Sequence, residues 1–117
     1  MVLGYAMTVI VTTLIEAKNA ESSQTTQYTS SGITTIIDKF TATNYDTAPH
    51  TLSVSLVPSG GSADNSNLIV KTKTLQGGET YTFPEIVGQV LNAGDFISTI
   101  ASAATSINIR ASGRVVS

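Results

Sequence analysis

The chain has 117 residues, no cysteine and a formal net charge of −2, so it is expected to fold as one domain that buries roughly two-thirds of its extended-chain surface without a disulfide. Only 12% of the residues are charged and the mean hydropathy is slightly positive, which excludes the charge-rich, apolar-poor composition of disordered chains. Six Lys and Arg scattered from Lys18 to Arg114 form no stripe for a phosphate backbone, so no nucleic acid is expected as a partner.

Met1 to Ile15 is the most apolar stretch. It has no Lys or Arg ahead of its apolar run and is shorter than the roughly 18 residues of a membrane span, so neither a signal peptide nor an anchor is expected, and no membrane partner. Its core, Thr8-Val9-Ile10-Val11-Thr12-Thr13-Leu14-Ile15, is dense in β-branched residues, which pack well on a pleated surface; it predicts a strand. Ala17 to Gln27 is polar and is compatible with a loop holding an exposed strand or a short helix. A strand is expected over Gln24 to Tyr28.

From Thr34 to Asn44 the pattern is irregular. Ile36, Phe40 and Ala42 share a face with Asp38, which suggests burial of that carboxylate, while Ile37 falls opposite with Lys39. A bulge or a second covered face would reconcile them. Thr51 to Val57 alternates strictly, with Leu52, Val54 and Leu56 on the inward face and Ser53 and Ser55 on the outward one. Pro58 to Asn67 reads as a polar loop, and Leu68 to Thr74, Glu79 to Phe83 and Asp95 to Ala101 as strands. Between them, Pro84 suits a first helical position and Ile86, Val87, Val90 and Leu91 form an apolar face, with Asn92 and Gly94 as terminators; this predicts one short helix. In the last strand Ile107, Ile109 and Ala111 alternate with Asn108, Arg110 and Ser112, which places Arg110 in water.

Strand signals at short intervals, separated by Gly, Pro, Asn and Ser, define an all-β chain. The expected architecture is a single-domain antiparallel β-sandwich, jelly-roll or Ig-like, with one short helix near Pro84 to Leu91.

No residue constellation points to catalysis, a cofactor or a metal. His50 is the only histidine, so a two- or three-histidine metal site cannot be built in one chain, and a surface turn is the simpler role. Serines are plentiful, but no Gly-x-Ser-x-Gly elbow presents a nucleophile. Asp64, Asn65 and Asn67 offer oxygen ligands, yet the calcium-loop register and its closing glutamate are missing. Gly60-Gly61 lacks a following Lys-Ser/Thr and reads as a turn. Trp is absent, and Tyr5, Tyr28, Tyr45 and Tyr81 are far apart, so a sugar-stacking platform requires the fold to gather them.

Several phrases resemble one family: Thr35-Ile36-Ile37-Asp38-Lys39-Phe40-Thr41-Ala42-Thr43-Asn44, Leu56-Val57-Pro58-Ser59-Gly60-Gly61, Gly78-Glu79-Thr80-Tyr81 with Pro84-Glu85, Leu91-Asn92-Ala93-Gly94-Asp95, and Ile109-Arg110-Ala111-Ser112-Gly113-Arg114. From about Tyr28 to Arg114 the chain resembles small virion proteins of tailed bacteriophages. The resemblance implies a non-enzymatic, compact all-β module of the virion, present in the host cytoplasm during assembly, whose partners are the major capsid protein or other virion proteins. Head decoration or cementing is the first expectation. A neck, tail or fibre-attachment role is the alternative, and a carbohydrate-binding sandwich the third. Binding a repeated lattice favours a homo-oligomer on a symmetry axis, with a trimer preferred. Residues 1–27, where the resemblance is weakest, are read as an N-terminal strand and polar segment serving as a docking arm, and 28–117 as the sandwich core. Thr8, Val9, Ile10, Val11, Thr12 and Thr13 are the candidate interface.

Overall fold

The computed structural model of the chain describes residues 7–117. Among them are nine strands: β1 (Val9–Asn19), β2 (Thr25–Thr29), β3 (Thr34–Asn44), β4 (His50–Val57), β5 (Leu68–Leu75), β6 (Thr80–Tyr81), β7 (Val90–Leu91), β8 (Phe96–Ala101) and β9 (Ile107–Val116). One sheet runs β1-β9-β3-β6, with β7 also on β3, and the second runs β2-β8-β4-β5. All pairings are antiparallel.

This order has a simple derivation. The pairs β1/β9, β2/β8, β3/β6 with β7, and β4/β5 are those of one long hairpin folded at the β4–β5 loop. Rolling that hairpin adds the pairings β9/β3 and β8/β4, and the product is the double Greek key of a jelly roll. The Ig-like order of strands is excluded.

Between the sheets lies one apolar core. Ile37, Phe40, Ala42, Ile107, Ile109 and Ala111 enter from the first sheet, and Leu52, Val54, Ile97 and Ala101 from the second. Leu14, Ile15 and Ala20 join from β1 and the residue after it. Leu56 is half-buried against this core, in register with Ile97 as Leu52 is with Ala101. Arg110 is exposed, as the alternation of β9 requires.

The helix expected from Pro84 is not formed. Ile86 and Val87 both direct their N–H to the Phe83 carbonyl, at 3.0 and 3.4 Å, but the Gly88 N–H leaves the segment and donates to the Ile37 carbonyl on β3 at 2.7 Å. Gly88 has φ +87°, a conformation open to glycine and closed to a continuing helix. The four apolar residues therefore divide, with Ile86 and Leu91 buried and Val87 and Val90 exposed.

On β3 a bulge resolves the irregular pattern, because Ile37 pairs Gly113 while Lys39 pairs Ser112, leaving Asp38 as the extra residue. Thr35 and Ile37 face inward before it, and Phe40, Ala42 and Asn44 after it. Ile36 and Asp38 do not share the inward face of Phe40. Asp38 instead receives Arg114 in a forked pair, Nε at 3.0 and 3.1 Å and Nη2 at 2.9 Å. The bulge brings β3 so close to β9 that a Cβ at Gly113 would run into the Ile36 carbonyl.

Ser55 falls on the outward face of β4 with Ser53, as the alternation predicts, but not in solvent. It is buried, as is its cross-strand partner Ser98. Both lie on the outer side of the second sheet, where the chain covers itself: Gln24 Nε2 donates to Ser98 Oγ at 2.7 Å, and the Asn67 carbonyl accepts from Leu56 N at 3.1 Å.

Candidate functional site

The histidine and the acidic and hydroxyl side chains nearest to it are held in structural bonds. His50 Nε2 lies 2.8 Å from Asp46 Oδ2, and Ser102 Oγ lies 3.4 Å from His50 Nδ1. The three residue types are those of a hydrolase triad, and no local sequence signal links them, because Asp46, His50 and Ser102 come from two different turns and the start of β4. Their geometry is that of a clasp. The Ser102–His50 separation exceeds the 2.6–3.2 Å reach of proton transfer, and Ser102 Oγ already accepts the Thr51 N–H at 2.9 Å. The clasp fastens the turn before β4 to the turn after β8.

Asp64 and Asn67 of the Pro58–Asn67 loop are likewise engaged internally, while Asn65 joins no side-chain bond there. Asp64 Oδ1 accepts from the Ser66 N–H and hydroxyl, Asn67 Oδ1 accepts from Asp64 N, and Asn67 Nδ2 donates to the Ser62 carbonyl. Among the described residues no group of three His, Asp or Glu is placed to hold a metal ion. Tyr28, Tyr45 and Tyr81 are not gathered: their hydroxyls bond Thr35, Asn19 and Glu85 respectively. Tyr5 lies outside the described residues. Beside this loop, Gln24, Ser53, Ser55, Lys71 and Ile100 line an open depression of about 280 Å³ on the outer side of the second sheet.

The candidate interface occupies the start of the first sheet. Thr8 precedes β1, and Val9 to Thr13 form its first half, in unbroken register with Val116 to Ser112. Exposure is high for apolar side chains: 56% for Val9, 52% for Ile10 and 79% for Val11. The Thr8 carbonyl accepts from Ser117 N at 3.1 Å. In an antiparallel ladder backbone groups alternate sides, so Thr8, Ile10 and Thr12 turn theirs to β9, and Val9, Val11 and Thr13 turn theirs to the open edge. Across the outer face of the sheet, Val11 aligns with Arg114, Ile36 and Val90.

Three carboxylates carry an acid dependence. Glu21 is held below the ordinary range by the hydrogen bond from Lys18 and then by that from Gln27. Asp46 is lowered chiefly by His50 and then by the Thr47 N–H, and Asp64 by the hydroxyl and then the N–H of Ser66. A carboxylate that binds protons less readily folded than unfolded stabilises the fold above its ordinary pKa, and that contribution is lost as pH falls through the lowered value. Thermal melts should therefore shift to lower temperature as pH drops below about 4.3, less steeply for an Asp46→Asn, Asp64→Asn double variant. Identical melts at pH 5 and pH 3 would contradict this origin.

No protein-family model matches the sequence, and no curated protein matches it. Solved structures do. The chain is similar to part of a chain in the structure of infectious bursal disease virus Gx strain, with a TM-score of 0.63 at 11% identity, covering 96% of this chain and 32% of that one. It is similar also to part of a chain in the T13 IBDV viral particle, with a TM-score of 0.55 at 12% identity, covering 94% and 31%. The chain thus spans about a third of the length of these viral chains. At this identity the likeness establishes the fold, a jelly roll like one found in a virus particle.

Proposed function

We propose that the chain is a non-enzymatic structural protein of a tailed-bacteriophage virion, acting as a capsid decoration or cement component that adds contacts between neighbouring major capsid subunits. The observation that carries this is the jelly-roll strand order, matched over nearly the whole chain by part of a virus-particle protein. The phage-like phrases from Thr35 to Arg114 support the bacteriophage setting, and side chains engaged in structural bonds support a role without chemistry. Contacts are offered through uncharged strand surface, with Thr8 to Thr13 as the segment presented to a neighbour. Ligation of the assembled shell stabilises it by mass action. Particles stripped of the protein should lose resistance to heat and low salt and regain it when the protein is added back, with density of this size located on the shell by electron microscopy. Stripped particles that keep their resistance but fail to attach tails would move the protein to the neck or tail.

A further inference from the structure

We infer that the outer edge of β1 is a homodimer interface, in which Val9 to Thr13 of two copies pair antiparallel about a two-fold axis at Val11. This deepens the reading of Thr8 to Thr13 as a contact segment, and rests on it, by naming the neighbour as a second copy of this chain.

The edge is selected by comparing the free edges of the described strands. Natural sheets blunt their edges with charge, bulges or brevity. β5 carries Lys71 and Lys73 and holds Thr72 at φ 44°. β2 has five residues and a register shift after Thr26, and β6 and β7 have two residues each. The second half of β1 contains Glu16 and Lys18 and two register shifts. Val9 to Thr13 has none of these devices. It is regular and uncharged, lacks proline, and exposes apolar side chains on both faces, since Ile10 lies on the inward face yet is half exposed.

A second copy fits this edge because the segment complements itself. With Val11 opposite Val11 of the other copy, Val9 meets Thr13 and Thr13 meets Val9, and each pair exchanges two N–H···O=C bonds. The groups required are those already turned outward. The Thr13 carbonyl has one other contact, the Thr12 hydroxyl at 3.4 Å. No charge is brought against its like. Met7, Val9, Ile10 and Val11 are each more than half exposed, and pairing sets the apolar side chains of the two copies beside one another on both faces of the joined sheet. Three-fold closure by strand pairing would need a second, different edge, and the other described edges are blunted.

Sedimentation equilibrium of the full chain across the micromolar range tests the pairing. Expected is a shift from the mass of one chain to that of two, with the amides of Val9, Val11 and Thr13 gaining protection from hydrogen exchange as dimer forms, while those of Ile10 and Thr12 are protected throughout. Val11→Lys sets like charges against each other at the axis, and Val11→Pro removes an outward N–H without breaking the β9 ladder. Both should remain single chains, with dilute-solution melts close to the parent's. A parent that stays one chain throughout, a Val11→Lys dimer as tight as the parent's, or a trimer with unprotected Val11 amides would overturn the inference. The particle-stability experiment does not depend on these outcomes, so the two readings fail separately.

Discussion

Replacing Phe40 by alanine is expected to lower the free energy of unfolding by about 3–5 kcal/mol, the range for removing a buried aromatic ring. Phe40 is fully buried and follows the β3 bulge, which is what turns it inward. Its ring meets Phe83 edge-on, with centroids 5.2 Å apart, and Phe83 meets Tyr81 in the same manner at 4.8 Å. The Lys73 ammonium lies over the Tyr81 ring, 4.4 Å from its centre. Collapse into the vacated space is hindered because Phe83 sits at φ 35° in the turn whose amides bond β3. Denaturant melts of Phe40→Ala and Phe40→Leu, with the leucine variant losing less, check this. A loss below about 1 kcal/mol for alanine would mean that the ring is not enclosed as described.

On β9 the two faces should separate by a comparable margin. Ile109→Ala should cost about 2–5 kcal/mol, since Ile109 is fully buried opposite Ala42. Its neighbour Arg110→Ala should stay within about 0.5 kcal/mol, because Arg110 is exposed and its ion pair with Glu16, at 3.9 Å, is open to solvent. The second sheet supplies a finer test. Both Ser53 and Ser55 look like neutral surface in the sequence, but Ser53 Oγ accepts the N–H of Thr72 at 2.8 Å. Ser53→Ala should therefore cost about 0.5–1.5 kcal/mol, and Ser55→Ala less. Equal losses for Ile109 and Arg110 would mean that β9 is covered on both sides.

The all-β class and much of the strand patterning can be read from local residue order. The β-branched run after Thr8, the alternation from Leu52 to Val54 and from Ile107 to Ala111, and the Pro58 to Asn67 loop are legible because side-chain period and turn chemistry are local properties of the backbone. The remainder depends on contacts between residues far apart in the chain. Ile36 and Ile37 have the same intrinsic preference, and the inward one is chosen by the bulge against Gly113, more than seventy residues along the chain. The Pro84 segment has helical spacing, yet its Gly88 N–H is taken by Ile37, and one such distant bond outweighs a helix too short to sustain its own nucleation. The His50 clasp joins Ser102 to Asp46 through the pairing of β4 with β8, which composition does not encode. The candidate interface shows the same division. β-branched spacing marks Val9 to Thr13 as a strand, but which of its sides stays unpaired follows from strand order. That order is set by long-range hydrogen bonding, which rolls β9 between β1 and β3 and, among the described residues, leaves the outer side of β1 open.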